Sequence, residues 1–273
     1  MKTIGIIGLG KMGYSLLQGF LTNGAIQQEQ VLVFDLKKEN MDKAINQWSN
    51  INLVKSSKEL ADKVDILFIV VEPKDVYSVL IEIKDNLNPK VHVISLAACI
   101  TIDNISRIIP SMITKVIPAV LFKHGGGVSL ISHSTTVTPE AAKSIEELFE
   151  RVSSIKIIEE NDFEAIANYT SVGPALISSL CEEVVVTGLK HTDISKEEAE
   201  NLLLLTIKGT IKMIDKENLS FADIVNMVAT RGGITEAGIK VFRKEIPPVM
   251  EEFFDITLNK HEEIKDDLGK KFE

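Results

Sequence analysis

The 273-residue sequence contains little of several residue types, and each scarcity excludes a class of protein. Its two cysteines, Cys99 and Cys181, have no metal-ligand spacing, so we expect neither a disulfide framework nor a thiolate metal site. No segment approaches the roughly 20 apolar residues needed to cross a bilayer, so we expect no membrane partner. Thirty Lys and Arg face 39 Asp and Glu. Since no basic stretch offsets this acidic balance, we expect no nucleic-acid partner.

Apolar residues, in contrast, make up 45% of the chain, enough for a sizeable core in one large domain or two ordinary ones. The opening "MKTIGIIGLGKMG" lacks a cleavable signal pattern, because its apolar run is short and rich in glycine. We therefore expect a cytoplasmic protein. The five histidines show no H-x-x-x-H spacing, so no metal is expected, and His124 is expected in a turn between strands.

Up to about residue 158, short β-branched segments alternate with amphipathic ones. Continuous apolar strands separated by helices predict a largely parallel sheet covered on both faces, which is a doubly wound α/β fold. We expect strands at "TIGIIG", "QVLVFD", "INLV", "VDILFIVV", "KVHVISL", "TKVIP", "GVSLIS" and "IKII", with helices at 11–21, 74–83 and 139–151.

After residue 158 the strand signals stop, and the pattern becomes all-helical. Helices are predicted at 163–189, 196–214, 221–228, 235–244 and 249–264, with Asp162 and Ser195 as N-caps. The first is apolar on too many faces for the surface of a monomer, which predicts a homodimer or a higher homo-oligomer. The C-terminal "HEEIKDDLGKKFE" is expected to be a solvated helix end or a frayed tail.

A glycine-rich segment, "GLGKMG", directly follows the first strand and precedes an amphipathic helix. The first glycine permits a tight turn, the second lets the backbone approach a pyrophosphate, and the third allows close helix packing. An acidic residue then ends the second strand, where the ribose 2′-hydroxyl of a dinucleotide is bound. The alternative is a glycine turn that binds no nucleotide. We therefore predict a dinucleotide site that contains Gly8, Leu9, Gly10, Lys11, Met12, Gly13 and Asp35.

The choice between NAD and NADP depends on residues 35–38. Asp35 favours NAD, because an unpaired carboxylate repels the 2′-phosphate of NADP. Lys37 and Lys38 follow at once and could reverse that preference, or they could form a solvated loop. The cofactor is accordingly predicted as NAD(P)H.

The order of motifs resembles the pyrroline-5-carboxylate reductase family, which reduces a cyclic imine to proline. "IGIIGLGKMG" is similar to the family's opening, "VVEPKDV" to A-V-K-P-Q and "ISLAACIT" to S-x-A-A-G-I-T. "TSVGPAL" is similar to S-G-S-G-P-A, and "VATRGGITEAG" takes the place of S-P-G-G-T-T. The resemblance implies a Rossmann-like domain over 1–159 and a helical dimerisation and substrate domain over 160–273. It also implies cofactor contacts at Val71, Pro73, Ala97 and Pro118.

The segment "VATRGGITEAG" is predicted to be the substrate loop. Gly232 and Gly233 can direct their N–H groups toward a substrate carboxylate, and a helix that begins near Thr235 adds its positive end. The resemblance implies that Thr235 is the catalytic residue that faces the substrate nitrogen. The alternative is a plain turn between two helices, with Thr235 as an N-cap.

Two further residues are predicted to bind substrate, each with an alternative. Arg231 could hold a second anionic group, or it could pair with an acidic side chain across a dimer interface. Ser171 could contact ligand, or it could satisfy backbone groups at a kink near Pro174.

Several positions depart from the family pattern. Ala119, in "IPAVL", replaces an asparagine; the others are Glu72, Val172, Arg231 and Ile234. Three hypotheses therefore stand. The protein reduces 1-pyrroline-5-carboxylate, it acts on another imine or a 3-hydroxy acid, or it is a divergent late-competence-type paralogue that binds a dinucleotide without catalysis.

Overall fold

The computed structural model describes residues 2–119 and 126–273. His124, and the part of "IPAVL" that follows Ala119, lie outside these ranges. Across them, no helix combines the length and apolar character that crossing a membrane requires.

Eight strands form one sheet in the order β3-β2-β1-β4-β5-β6-β7-β8. They are β1 (Ile4–Ile7), β2 (Val31–Phe34), β3 (Asn52–Leu53), β4 (Ile66–Ile69), β5 (His92–Ser95), β6 (Met112–Ile117), β7 (Val128–His133) and β8 (Ser154–Ile157). Neighbouring strands are parallel except for the antiparallel β6 and β7. Each segment expected to be a strand contains one, and the predicted α/β fold with a largely parallel sheet is confirmed.

Eleven α-helices accompany the sheet within the described residues. They are α1 (Lys11–Thr22), α2 (Lys38–Gln47), α3 (Ser57–Lys63), α4 (Pro73–Ile83), α5 (Ile102–Ile108), α6 (Pro139–Glu150), α7 (Phe163–Thr170), α8 (Gly173–Gly188), α9 (Lys196–Glu217), α10 (Phe221–Val228) and α11 (Ile234–Gly269). Ser195 caps α9, since its hydroxyl accepts the N–H of Glu198, as predicted. Asp162 precedes α7, but its side chain makes no capping hydrogen bond.

The core covers both faces of the sheet. On one face, Phe20, Phe68 and Phe149 are fully buried and contact one another, with ring centroids 5.4 to 6.3 Å apart. On the other, buried aliphatic residues of α3, α4 and α5, among them Leu60 and Leu80, cover the strands. Burial on both faces explains why the central strands are continuously apolar.

The helix predicted over 163–189 is in fact two helices, α7 and α8. The N–H groups of Ser171 and Val172 both donate to the carbonyl of Ala167, which closes α7. Pro174 lies in the first turn of α8, and its missing N–H and the clash of its ring with the carbonyl four residues earlier disfavour continuing α7 across this point.

The two helices predicted over 235–244 and 249–264 are in fact one, α11, which contains Pro247 and Pro248. Each proline removes one backbone hydrogen bond, to the carbonyls of Arg243 and Lys244, while helical residues continue on both sides. The helix of 36 residues continues although these two backbone hydrogen bonds are missing.

Of the two expectations for the C-terminus, the helix end is confirmed and the frayed tail is wrong. Leu268 and Phe272 are buried against the second face of the sheet, and the ring of Phe272 meets Tyr77 edge-on at 5.2 Å. Lys271 also donates to the carbonyl of Lys74. The apolar pair at i and i+4 holds the end of the chain against the α/β core.

The described residues divide into two compact units, one of Met1–Val172 with Thr257–Glu273 and one of Gly173–Ile256. The first contains the sheet. The second consists of helices. The domain boundary expected between residues 159 and 160, where strands give way to helices, stays a prediction.

Candidate active site

The glycine loop after β1 has the geometry that a dinucleotide requires. Gly8 has a φ of 97°, and a Cβ there would collide with the carbonyl oxygen of Val70. A Cβ on Gly13 would collide with the carbonyl of Gly8, so the helix packs directly on the loop. Gly10 differs, because a Cβ there would have no atom within 4 Å. The loop is therefore closed toward the protein and open at Gly10, where a pyrophosphate would meet the N-terminus of α1.

Asp35 holds this loop in place. One carboxylate oxygen accepts the N–H of Leu9 at 2.6 Å, and the other accepts the N–H of Lys37 at 2.7 Å. Each carboxylate oxygen can accept a second hydrogen bond, so a ribose hydroxyl could still be bound. The sequence predicted the ribose contact but not the bond to the glycine loop.

Several residues in the glycine loop and after β2 are exposed to solvent. Lys11, Met12, Lys37 and Lys38 are exposed. Glu72, at the start of α4, lies 2.6 Å from the ammonium of Lys74. The hydrogen bond from Lys74 holds the pKa of the Glu72 carboxyl below its usual range, and the charge of Lys37 adds to the effect. The carboxylate of Glu72 is thus neutralised by the ammonium of Lys74.

The remaining predicted cofactor residues lie at the ends of neighbouring strands. Val71 and Pro73 follow β4, Ala97 follows β5 and Pro118 follows β6. The carboxyl ends of adjacent parallel strands share one edge of a sheet, and ligands of open α/β sheets bind outside that edge. These four residues and the glycine loop therefore lie along the same edge.

Ala119, at the position of the family's asparagine, is buried, and its N–H donates to the hydroxyl of Ser129 at 3.1 Å. That hydroxyl lies 2.7 Å from the Ser153 hydroxyl. The backbone at Ala119 is thus held in place, but its side chain offers only a methyl group.

The predicted substrate loop begins after α10 and leads directly into α11. Gly232 has a φ of 77°, a conformation that favours glycine. Its N–H donates to the carboxylate of Glu236 at 2.8 Å, and the N–H of Gly233 donates to the carbonyl of Thr230 at 2.9 Å. Both amides predicted to bind an anion therefore have acceptors within their own chain. Thr235 lies inside the first turn, so it is not the N-cap.

Glu236 is a site residue that the sequence reasoning missed. The N–H of Gly232 holds the pKa of its carboxyl below the usual range, and Lys240, 3.4 Å away, contributes further. The signal was available, because a glutamate in the first turn of a helix commonly accepts a backbone N–H that precedes the helix. The carboxylate of Glu236 is thus an anion that already binds the Gly232 amide.

Ile234, one of the departures from the family pattern, and the remaining predicted substrate residues, Arg231 and Ser171, differ in their surroundings. Ile234 is 93% exposed. Arg231 is exposed and forms no ion pair with any residue that the structure describes. The hydroxyl of Ser171 is buried and has no hydrogen-bond partner within the described chain, so it does not satisfy backbone groups near Pro174. Ser171 belongs to the α/β unit, whereas Arg231, Gly232, Gly233 and Thr235 belong to the helical unit.

Comparisons with known proteins cover both units. Residues 3–99 match a family described as NADP oxidoreductase coenzyme F420-dependent, and residues 160–264 match pyrroline-5-carboxylate reductase dimerisation. Pyrroline-5-carboxylate reductase 3 of Bacillus subtilis is 28% identical over 99% of both chains. ComE operon protein 4 of the same organism is 26% identical over 98% of both. The NADP-bound Plasmodium falciparum pyrroline carboxylate reductase superposes with a TM-score of 0.81 at 25% identity, covering 100% of this chain and 98% of that one.

Together, the two matched regions and the relatives matched over nearly the whole chain support the pyrroline-5-carboxylate reductase family for this protein. The NADP oxidoreductase match and the NADP-bound structural neighbour support NAD(P)H as the cofactor, and the matched residues 3–99 include the glycine loop. Within residues 2–119 and 126–273, no three His, Cys, Asp or Glu side chains are arranged to hold a metal ion.

Proposed function

We propose that this protein reduces 1-pyrroline-5-carboxylate to L-proline with NAD(P)H. The observation that carries the proposal is the likeness to pyrroline-5-carboxylate reductase 3, which runs over 99% of both chains and therefore includes both units. When bound, the reduced nicotinamide supplies a hydride to the imine carbon, and a proton on the nitrogen completes the secondary amine. The protein's task is to position the ring and stabilise its charges.

Thr235 is the residue proposed to contact the substrate nitrogen. It is half-buried in the first turn of α11, and its hydroxyl has no hydrogen-bond partner among the described residues. A hydroxyl without a partner is free to bond the imine nitrogen, which is charged when protonated. Such a bond contributes about 1.5–3 kcal/mol, so losing it should slow turnover roughly ten- to hundredfold. The buried hydroxyl of Ser171 is a second proposed polar contact.

The substrate carboxylate is proposed to bind at Gly232 and Gly233. Glu236 already occupies the Gly232 N–H, so the incoming carboxylate must exchange with it. Arg231, exposed in the same loop, can supply positive charge for that exchange. Its alternative role, pairing with an acidic residue of a second subunit, remains compatible with this function.

The functional assembly is proposed to be a homodimer or a higher homo-oligomer. The match to the family's dimerisation region over residues 160–264 supports it. The helical unit also exposes apolar side chains that a monomer would leave in water, such as Ile177, Val184 and Leu205.

Steady-state kinetics with purified protein tests the proposal. NAD(P)H oxidation is followed with 1-pyrroline-5-carboxylate, for the wild type, Thr235→Val and the control Thr206→Val, whose hydroxyl bonds only its own helix. We expect wild-type turnover, a roughly ten- to hundredfold lower kcat/KM in Thr235→Val, and little change in the control. Absence of turnover above background in the wild type would refute the function.

A second candidate is the same reductase chemistry on a different imine, or oxidation of a 3-hydroxy acid. Two observations favour it, the methyl group of Ala119 in place of a polar side chain and the carboxylate of Glu236 at the Gly232 amide. A panel of cyclic imines and 3-hydroxy acids tests it, and turnover of 1-pyrroline-5-carboxylate alone would exclude it. Tight NAD(P)H binding with no turnover of any substrate would instead support a non-catalytic paralogue.

A further inference from the structure

A buried ammonium lies in the sheet beside the predicted cofactor edge. The Lys115 side chain, on β6, is 2% exposed. An unpaired charge at such a depth is strongly unfavourable, so its partners are decisive. Glu160 lies 3.3 Å from its Nζ, Glu164 lies 3.8 Å away, and the ring of Phe163 lies beneath it at 5.0 Å. These contacts to the ammonium of Lys115 therefore all come from residues 160–164.

Glu160 has a second role through the same oxygen atom. Its Oε1 accepts the N–H of Ile102 at 2.8 Å and also receives the Lys115 ammonium. Ile102 is the first residue of α5, and its N–H would otherwise lack a partner within the helix. One carboxylate oxygen thus joins the start of α5 to β6.

Both of the joined segments lead to predicted cofactor contacts. Ala97 lies in the short connection between β5 and α5, and Pro118 directly follows β6. In the sheet, Ser95 at the end of β5 is paired with Lys115. The oxygen of Glu160 therefore ties the end of the connection between β5 and α5 to β6, in addition to the pairing of β5 with β6 in the sheet.

We propose that Glu160 and Lys115 are positioning residues for NAD(P)H, acting through the segments that carry Ala97 and Pro118. The proposal rests on the proposed function only in taking these segments as the nicotinamide side of the site. Neither charged side chain contacts the cofactor in this account. Loss of their bond lets the two segments separate, and small displacements of contact residues weaken binding markedly.

Three variants test the proposal. Glu160→Ala removes the shared oxygen, Glu160→Gln keeps an acceptor for Ile102 but removes the charge, and Glu159→Ala is the control at an exposed neighbour whose side chain makes no capping bond. NAD(P)H affinity is measured by fluorescence titration without substrate, and KM is then measured for NAD(P)H and for 1-pyrroline-5-carboxylate. Circular dichroism establishes that each variant is folded.

We expect Glu160→Ala to weaken NAD(P)H binding about tenfold and Glu160→Gln about threefold, because a hydrogen bond to a charged group is worth more than a neutral one. Glu159→Ala should bind as the wild type does, and the KM for the imine should not change in any variant. If Glu160→Ala does not fold, Glu160→Gln combined with Lys115→Met removes both charges together and should show the same loss of affinity.

Wild-type NAD(P)H affinity in a folded Glu160 variant would overturn the proposal, as would an equal rise in both KM values, which a merely structural role predicts. The titration needs no turnover. A wild type that binds NAD(P)H without reducing the imine therefore fails the proposed function and leaves this inference standing.

Discussion

The two units of this protein bury their apolar residues in different ways. The α/β unit has a continuous core on both faces of its sheet. Across residues 173–256, in contrast, Val185 is the one large hydrophobic side chain that is buried. The exposed ones there are Ile177, Leu180, Val184, Val186, Leu202, Leu204, Leu205, Ile211, Phe221, Met227, Val228, Ile234, Val241, Phe242, Val249 and Ile256. The first unit can be stable by its own packing, whereas the second exposes the apolar surface that the proposed subunit interface would cover.

The same difference distinguishes the proposed cofactor site from the proposed substrate loop. The glycine loop and the strand ends are held by buried contacts of the α/β unit. The loop that carries Gly232 and Thr235 belongs to the unit that leaves most of its large apolar side chains exposed. Cofactor binding should therefore survive conditions that abolish substrate turnover.

Placing a charge on the apolar surface of the helical unit should have the largest effect. Leu205 is 56% exposed, and Leu205→Asp would put a carboxylate into the proposed subunit interface. We expect association to weaken at least about a hundredfold, since both the apolar burial and the cost of a desolvated charge act against it. Analytical ultracentrifugation measures the change. The control is Ile81→Asp on α4 of the α/β unit, and an equal effect there would contradict the comparison.

Truncating a core aromatic residue tests the other unit. Phe68 is fully buried between Phe20 and Phe149, so Phe68→Ala should lower the free energy of unfolding by about 3–5 kcal/mol. The loss should be the same at every protein concentration. Phe242→Ala, at an exposed position of the helical unit, should instead lower Tm in a concentration-dependent way. Thermal unfolding over a range of protein concentrations distinguishes the two variants. The same concentration dependence in both would contradict the proposed difference between the units.

The α/β unit should also be the acid-sensitive one, because it buries an uncharged histidine. The His92 ring is 3% exposed and lies 2.7 Å from the Thr114 hydroxyl, which lies 2.7 Å from His133. Burial lowers the pKa of His92 from 6.5 to about 4, and the nearby His133 and Lys2 add to the effect. Between these values the unfolded chain binds a proton that the folded chain does not, so stability falls as the pH falls.

The expected loss across that window is about 3 kcal/mol, from 1.36 kcal/mol per pKa unit. Urea unfolding at about pH 7 and about pH 4.5 measures it. His92→Gln, which keeps a donor for Thr114, should flatten the pH dependence, whereas exposed His191→Gln should not. An unchanged slope in His92→Gln would show that the loss comes from other groups.

The smallest effect is expected at the substrate loop. Glu236→Ala frees the Gly232 N–H, so the KM for 1-pyrroline-5-carboxylate should fall about threefold, in keeping with a net hydrogen-bond contribution of about 0.5–1.5 kcal/mol. Glu245→Ala is the control, since Glu245 pairs only with adjacent Lys244. A KM that rises in Glu236→Ala would mean that Glu236 supports the loop and does not compete with substrate.

Sequence patterns predicted the α/β unit well because its signals are local. Buried parallel strands are continuous apolar segments, and the roles expected of Gly8, Gly10 and Gly13 agree with their backbone surroundings. The errors arose where tertiary contacts decide the outcome. Helix α11 continues through Pro247 and Pro248, and the C-terminus is held by Phe272, which packs on a residue nearly 200 positions earlier.

In the candidate site, too, local features could be predicted from the sequence and tertiary contacts could not. The break between α10 and α11 was readable from "VATRGGITEAG", whereas the bond between Gly232 and Glu236 depends on the turn geometry. That this loop binds substrate stays a prediction. Lys115 was readable only as a charge inside an apolar strand, since its partner Glu160 is 45 positions away. The cytoplasmic location stays a prediction.

The most direct measurement of the central claim uses NAD(P)H that carries deuterium at the transferable position of its nicotinamide. The protein is incubated with 1-pyrroline-5-carboxylate, and the product is analysed by mass spectrometry. We predict L-proline that carries one deuterium, on the ring carbon that formed the double bond to nitrogen. Unlabelled proline, or no proline from protein that binds NAD(P)H, would contradict the account.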